Sequence, residues 1–228
     1  MMRPWLVFGL TASLASMGEL AGHERRGSLL WPGRSALVGL MGAALGIRRD
    51  GDFSALDALD LAVAIFDEGA PLRDYHTVET VPSAAAKQPN SRPEALRAAR
   101  GRTNTTITLR DYRVGPLFGV AASNAPAATL EEIAQALRTP RFTLYLGRKS
   151  CPLAAPTGAK VVDAETPETA LARLDLPPWQ SGRVAHTLVV GADEGEIVHD
   201  VPIDRIAWHF APRAVELRPV EIIAGGAQ

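Results

Sequence analysis

The stretch LFGVAA at residues 117–122 is apolar at every position, which is typical of a strand buried on both faces of a sheet. A helix is predicted over residues 130–137, because Thr129 stands as an N-cap with Glu132 three residues later, the arrangement of a capping box. Residues 142–146 favour another strand. This part of the chain therefore predicts a strand, a helix and a strand in succession.

A second unit of the same kind precedes the first. Residues 5–10, WLVFGL, predict a strand, residues 34–47 predict a helix that ends near Gly46, and residues 61–66 predict a further strand. With residues 67–113 set aside, the order becomes strand, helix, strand, strand, helix, strand, which is that of the ferredoxin-like split βαβ fold. We therefore expect an α+β protein whose first domain covers residues 1–152.

Residues 67–113 form an insertion between the second and third of those strands. They hold four prolines, little apolar periodicity and a cluster of cations, so they cannot bury a core of their own. We expect the insertion to project as a long hairpin or loop. Its cations need a partner outside the body, which would be RNA, a neighbouring subunit or both.

Residues 157–228 follow a linker-like stretch and are predicted to form a smaller, acidic and mostly β region. A short helix is expected over residues 168–174, and strands are expected over residues 184–190, 196–200 and 206–210. The sequence thus predicts two units along the chain.

The overall charge argues against nucleic-acid binding, because 24 basic and 25 acidic side chains leave a net charge of −1 over 228 residues. The charges are unevenly placed, however: residues 1–50 and 77–150 are basic, and residues 51–76 and 151–228 are acidic. Most of the basic residues are arginines, which suit RNA because guanidinium groups bind phosphate and stack on bases. A solvated surface of mixed charge explains the composition equally well.

The cysteine count and the hydropathy of the chain indicate the cellular compartment. Cys151 is the single cysteine, so no internal disulfide can form and a cytoplasmic location is expected. The longest strongly apolar stretch, residues 35–47, is too short to cross a bilayer. Residues 3–15 also resemble a signal peptide with a small-residue cleavage site, which leaves a secreted protein as an alternative.

Motifs that bind nucleotide phosphates, dinucleotides or metals do not occur in the sequence, so no cofactor or metal is predicted. The candidate binding groups lie instead in two short polar segments. DYHT at residues 74–77 combines a carboxylate, two rings and a hydroxyl at a predicted strand exit. GRKSCP at residues 147–152 places two cations and a hydroxyl at another strand exit. Such groups suit a phosphate. Surface turns with incidental charge are the alternative.

Four segments, taken in order along residues 5–152, resemble motifs of the CasD family, the CRISPR-associated subunit of the type I-E Cascade complex. They are LGRKSCP at residues 146–152, DYHT at 74–77, PGRSALVGL at 32–40 and TLRDY at 108–112 followed by Leu117-Phe118. In the third of these motifs, Arg34 replaces a lysine. The family's Gln-Ser-Trp-Gly loop reads Ala15-Ser16-Met17-Gly18 here, so the tryptophan is lost, although Met17 is able to pack in its place.

The resemblance implies an RNA-binding, ferredoxin-like body of the RAMP type with a projecting thumb, about residues 77–112. It implies capture of the 5′ handle of the CRISPR RNA (crRNA), contact with the backbone subunit CasC and the large subunit CasA, and access to target DNA through the complex. The expected role is noncatalytic. A relative in another subtype cuts the precursor RNA, so a metal-independent endoribonuclease with His76 or Tyr75 as the acid or base is the alternative.

On this hypothesis cations neutralise phosphates, hydroxyl and imidazole groups donate hydrogen bonds, and aromatic rings stack on bases. The expected RNA-binding residues are Ser16, Arg34, Ser35, Tyr75, His76, Thr77, Arg110, Tyr145, Arg148, Lys149, Ser150 and Cys151. The thumb is expected to contact RNA and the first backbone subunit through Lys87, Arg92, Arg97, Arg100 and Arg102.

Overall fold

A computed structural model describes residues 1–19 and 24–225 of the chain. The strands are β1 Arg3–Thr11, β2 Leu14–Ala15, β3 Arg25–Arg26, β4 Asp60–Asp67, β5 Ala70–Thr80, β6 Asn104–Val114, β7 Leu117–Ser123, β8 Lys160–Ala164, β9 Val184–Ala192, β10 Glu196–Asp204 and β11 His209–Ile223. The helices are α1 Arg34–Leu45, α2 Ser54–Asp57, α3 Arg92–Ala99, α4 Ala127–Arg138 and α5 Pro167–Leu171.

Seven strands form the main sheet in the order β10-β11-β9-β4-β7-β1-β8, and each neighbouring pair is antiparallel. Strand β7 lies between β4 and β1 and is buried at every position. Its side chains alternate between two cores. Phe118 and Val120 pack in the core that contains α1 and α4, whereas Leu117 and Ala121 pack in the core that contains α5. This two-sided burial explains the unbroken apolar run.

Six elements follow each other in the order β1, α1, β4, β7, α4, β8, and their strands are adjacent in the sheet as β4-β7-β1-β8. The fourth of these strands is not the expected one. The prediction of a strand over residues 142–146 is wrong, because this segment makes only a single bridge, between Tyr145 and Pro152. Strand β8 takes its place and pairs with β1.

The backbone of the misassigned segment finds its hydrogen bonds on a helix. The N–H groups of Arg141 and Phe142 donate to the carbonyls of Ala44 and Ala43, at 3.0 and 3.2 Å, where α1 ends. Leu144 and Leu146 are nevertheless buried, while Tyr145 between them is only half-buried. This alternation comes from packing alone and imitates the period of a strand.

The two large helices differ in how well their ends were predicted. Gly46 closes α1 with a left-handed φ of 82°, as its position near the predicted end indicated. The capping box predicted at Thr129 and Glu132 is wrong, because α4 already begins at Ala127 with Pro126 as its N-cap. The carbonyl of Pro126 accepts the N–H of Leu130 at 3.1 Å, so Thr129 lies within the first turn.

The insertion is an antiparallel hairpin in which β5 and β6 pair over their full length of eleven residues, about 36 Å of strand. The hairpin is longer than the expected 77–112, and it carries a helix, α3, that was not expected. Ser91 caps α3 by accepting the N–H of Glu94 at 3.4 Å, and the Glu94 carboxylate accepts the N–H of Asn90 at 3.1 Å. Strands β2 and β3 pair with the other edge of β6.

The acidic C-terminal region extends the main sheet at both ends. Strand β8 pairs with β1 at one side, and β9 pairs with β4 at the other, followed by β11 and β10. A division of the chain into folding units 1–152 and 157–228 stays a prediction, but the sheet itself is continuous across it. The strand expected at residues 206–210 starts only at His209, because Asp204 accepts the N–H groups of Ile206 and Ala207, both at 2.8 Å, in a turn.

Two further expectations concern the membrane and the N-terminus. Among the residues described, no helix has both the length and the apolar character needed to cross a bilayer. The apolar run 5–10 that resembled a signal peptide lies in β1, where Leu6, Val7 and Phe8 are fully buried.

Candidate nucleic-acid interface

The loop GRKSCP at residues 147–152 is a tightly held turn. The N–H of Leu146 donates to the carbonyl of Cys151 at 2.9 Å, and the N–H of Cys151 donates to the carbonyl of Arg148 at 2.8 Å. The N–H of Ser16 donates to the carbonyl of Leu146 at 3.1 Å, which joins the loop to the segment after β1. Gly147 has a φ of +85°, and a Cβ there would lie 1.6 Å from the carbonyl oxygen of Ser16. Only glycine fits this approach.

The loop presents its polar residues in different ways. Lys149 and Ser150 are exposed, whereas Cys151 is fully buried. The Cys151 side chain is therefore part of the packing that anchors the loop, which corrects the expectation that it contacts RNA. The guanidinium of Arg148 lies 4.5 Å from the ring centroid of Tyr112 on β6. Its Nη1 is buried without a hydrogen-bond partner among the described residues.

Asp111 fixes the base of the hairpin to its surroundings. Its carboxylate accepts hydrogen bonds from Arg73 on β5 at 2.7 and 3.2 Å and from Arg25 on β3 at 3.3 and 3.2 Å. The hydrogen bond from Arg73, with a smaller contribution from Arg25, holds the pKa of Asp111 below its ordinary value. The hydroxyl of Ser16, which is itself buried, donates to the carbonyl of Asp111 at 3.2 Å.

A small cleft joins three of the motifs that were singled out in the sequence. It is lined on one side by Met17 and residues 145–147, and on the other by Pro32 and the first turns of α1. Met17 is buried and belongs to the main core, so the prediction that it packs at this position is confirmed. Tyr145 is half-buried at the edge of this cleft.

Arg34 is held in place by the protein itself. Its guanidinium donates to the carbonyl of Leu59 at 2.8 Å and to the carbonyl of Asp57, and its backbone N–H donates to the buried carboxylate of Asp200 at 2.6 Å. Burial, aided by the charge of Arg213, lowers the pKa of the Arg34 guanidinium. This geometry does not support the expectation that Arg34 binds phosphate, because its guanidinium is half-buried and already bonded to two backbone carbonyls. Ser35 beside it is half-buried.

The segment DYHT lies in the middle of β5, so its expected position at a strand exit is wrong. Tyr75, His76 and Thr77 are all exposed. Neighbouring side chains of a strand point to opposite faces. His76 pairs in register with Thr108 and therefore shares its face with Arg110, whereas Tyr75 pairs with Leu109 and shares the face of Asp111. The four RNA-binding residues expected on the hairpin are thus divided between two faces.

The remaining cations lie at the far end of the hairpin. Arg92 donates to the carbonyl of Glu79 at 2.5 Å, and Arg102 donates to the carbonyl of Ala99 at 3.3 Å. The cations in this group are all exposed: Lys87, Arg92, Arg97, Arg100 and Arg102. Since the paired strands span about 36 Å, these cations and the 147–152 loop form two separate basic surfaces.

The expected residues that come together are Ser16, Tyr145, Arg110 and the 147–152 loop. Tyr112 belongs to the TLRDY motif but was not among the expected RNA-binding residues; it lies two residues from Arg110 on β6 and so shares its face. Arg26 was missed as well, because a two-residue strand has no local signature. Among the described residues, no group of three or more histidine, cysteine, aspartate or glutamate side chains is arranged to hold a metal ion.

Comparison with known proteins gives consistent matches over nearly the whole chain. The family model described as CRISPR-associated protein (Cas_Cas5) matches residues 5–216. A protein of Escherichia coli (strain K12) named CRISPR system Cascade subunit CasD is 33% identical over 226 residues, which cover 93% of this chain and 94% of that protein.

Solved structures show the same fold. A chain of a CRISPR RNA-guided surveillance complex has a TM-score of 0.71 at 23% identity, with 97% of this chain and 93% of that chain covered. A crystal structure of a Cas protein has a TM-score of 0.66 at 27% identity, with 97% and 98% covered.

Proposed function

The chain belongs to the CRISPR-associated Cas5 family, as a CasD-type member, and on that premise we propose that it is a noncatalytic, RNA-binding subunit of a type I-E Cascade complex. The observation that carries the proposal is the 33% identity, over almost the full length of both chains, to a protein named as the Cascade subunit CasD. The surveillance complex among its structural relatives supports the same kind of assembly.

Within that complex, the chain binds and caps the 5′ handle of the crRNA. The 147–152 loop supports this role, because Lys149 and Ser150 are exposed beside Arg148 on a loop whose backbone is fixed. Single-stranded RNA is recognised by such groups through its phosphates, base edges and stacked bases. The order of elements and the sheet order β4-β7-β1-β8 support a ferredoxin-like body, and the β5–β6 hairpin is its thumb.

The proposed partners are the crRNA, the backbone subunit CasC, the large subunit CasA and, through the complex, target DNA; the proposed location is the cytoplasm. The exposed cations at the tip of the hairpin suit contact with RNA and with the first backbone subunit. The acidic region of residues 151–228 is suited to solvent or to protein neighbours rather than to nucleic acid.

The endoribonuclease alternative requires an acid and a base that flank one phosphate. Tyr75 and His76 were the groups suggested for these roles. Their side chains lie on opposite faces of β5, so they are poorly placed to act on the same bond. This arrangement favours the noncatalytic proposal.

The decisive experiment is co-purification of the tagged chain with the other Cascade subunits of its own genome and a CRISPR array. We expect one complex that contains processed crRNA. The double variant R148E/K149E should lose crRNA and weaken salt-dependent binding of the handle, because two phosphate contacts are reversed in charge. The matched control is R48E/R49E, two adjacent exposed arginines just beyond the other end of α1.

Two outcomes contradict the proposal. Recovery of the tagged chain without RNA or subunits would refute membership of the complex. Equal crRNA content and equal salt dependence in both double variants would refute the assignment of the loop to the handle.

A further inference from the structure

We propose that RNA follows one face of the thumb hairpin, the face that carries Arg26, Arg110 and Tyr112, and that Arg148 continues this basic strip onto the body. The inference rests on the proposed function and deepens it, because it names the RNA-facing side and adds Arg26 and Tyr112 to the site. The opposite face, with Asp111 and Tyr75, is excluded from the RNA path.

The register of the strands places these residues together. Arg110 and Tyr112 are two residues apart in β6, so their side chains lie on the same face. Arg26 of β3 is the direct partner of Arg110 in a parallel ladder, which sets their backbones about 4.8 Å apart. Arg148 stacks on Tyr112 from the loop, with its guanidinium carbon 4.5 Å from the ring centroid.

The charges on the two faces are balanced differently. On the opposite face, Arg25 and Arg73 share the carboxylate of Asp111. On the proposed face, two arginines stand side by side, an arrangement of like charges that costs stability. In the described part of the chain neither Arg26 nor Arg110 forms an ion pair; Asp74, the register partner of Arg110 on β5, lies across from it without bonding to it.

Arg148 supplies an independent sign of a missing partner. Its buried Nη1 has no hydrogen-bond acceptor among the described residues, although an unpaired buried donor of this kind is costly. An RNA phosphate beside this strip would provide negative charge for the guanidinium groups of Arg148, Arg26 and Arg110. Tyr112 acts as a positioning residue, because its ring orients the guanidinium that makes the contact.

The test measures binding of a fluorescein-labelled single-stranded RNA with the CRISPR repeat sequence by fluorescence anisotropy over a series of KCl concentrations. Each of R26Q and R110Q should weaken binding and reduce the slope of log affinity against log salt by about 0.7, the value for one phosphate contact on a single strand. R26K keeps the charge and should keep the slope. The matched control is R25Q, the same change one residue away on the opposite face.

Tyr112 is tested by rescue. Y112A should reduce the salt slope as R148Q does, whereas Y112F keeps the ring and should bind as the wild type does. Circular dichroism of each variant checks that the fold is retained; a loss of binding in Y112A that Y112F does not rescue would overturn the positioning role.

The results separate the two proposals. If the wild type shows no salt-dependent binding of the repeat RNA, the proposed function fails. If the wild type binds but R26Q and R110Q keep its slope as R25Q does, only the assignment of the face is overturned. The assignment is also overturned if R26Q and R110Q impair assembly with the other subunits while leaving the RNA slope unchanged, because the face would then bind protein.

Discussion

At the scale of single residues, Gly147 has the least room for a Cβ among the described glycines. A Cβ there would overlap the carbonyl oxygen of Ser16, and its φ of +85° is unfavourable for other residues. We expect G147A to lower the free energy of unfolding by at least about 2 kcal/mol, since backbone strain and a clash add together. Urea unfolding measures this.

The matched control is G101A, because Gly101 has a similar φ of +81° with open space around its Cβ. It should cost only the conformational strain, about 1 kcal/mol. Equal losses in the two variants would mean that the approach of Ser16 to Gly147 is not a rigid contact.

Asp111 makes the hairpin base sensitive to acid. Hydrogen bonds from Arg73 and Arg25 keep its pKa low in the folded chain, so its contribution to stability is present above the unfolded pKa of about 3.9 and is lost as the pH falls through the folded value. We expect D111N to be less stable than the wild type at neutral pH, and the difference to shrink as the pH is lowered below about 4. Urea unfolding at several pH values tests this, and a difference that stays constant with pH would contradict it.

Met17 and Arg34 show which residue roles can be predicted from the local sequence and which cannot. Met17 was expected to pack where the related motif has tryptophan, and it does, because a buried apolar side chain depends mainly on its own neighbourhood. Arg34 follows Pro-Gly and precedes Ser, a pattern that suits phosphate, yet its guanidinium binds the carbonyls of Leu59 and Asp57. Those carbonyls lie more than twenty residues away, and nothing local indicates that they come near.

At the scale of elements, the segments that were predicted well are those with a strong period of their own. Strands β1, β4 and β7 and helix α1 lie within a few residues of their predicted bounds, because a buried run or a helical apolar face is a local property. Strands β2 and β3 have two residues each and exist only through pairing with β6. Such pairing depends on tertiary contacts, so the local sequence cannot reveal it.

The β5–β6 hairpin was easier to expect than to orient. A long hairpin or loop was expected here from prolines, charge and the lack of an apolar period. The register of β5 and β6 could not be expected from the sequence. This register places the side chains of His76 and Tyr75 on opposite faces of the hairpin. Helix α3 had a signal that was overlooked, because Ser91 and Glu94 form the start of a capping box in the sequence itself.

At the scale of the whole molecule, the continuity of the sheet ties the acidic C-terminal region to the site. Asp200 on β10 accepts two hydrogen bonds from Arg213 on β11, at 2.6 and 2.9 Å, and also holds the first N–H of α1. A side-chain carboxylate from the C-terminal region thus binds the N-terminal end of α1, the helix that starts within the PGRSALVGL motif. The net charge of −1 conceals this division between basic N-terminal segments and an acidic C-terminal region.

The same continuity predicts how the chain folds. A fragment of residues 1–152 lacks β8 and β9, so both β1 and β4 become open edges, and the core loses Leu188 and Val189. We therefore expect the full chain to unfold in one cooperative transition and the fragment to show none, because neither part closes the sheet alone. Circular dichroism during thermal unfolding compares the two. A fragment that melts cooperatively near the midpoint of the full chain would instead establish residues 1–152 as an independent folding unit.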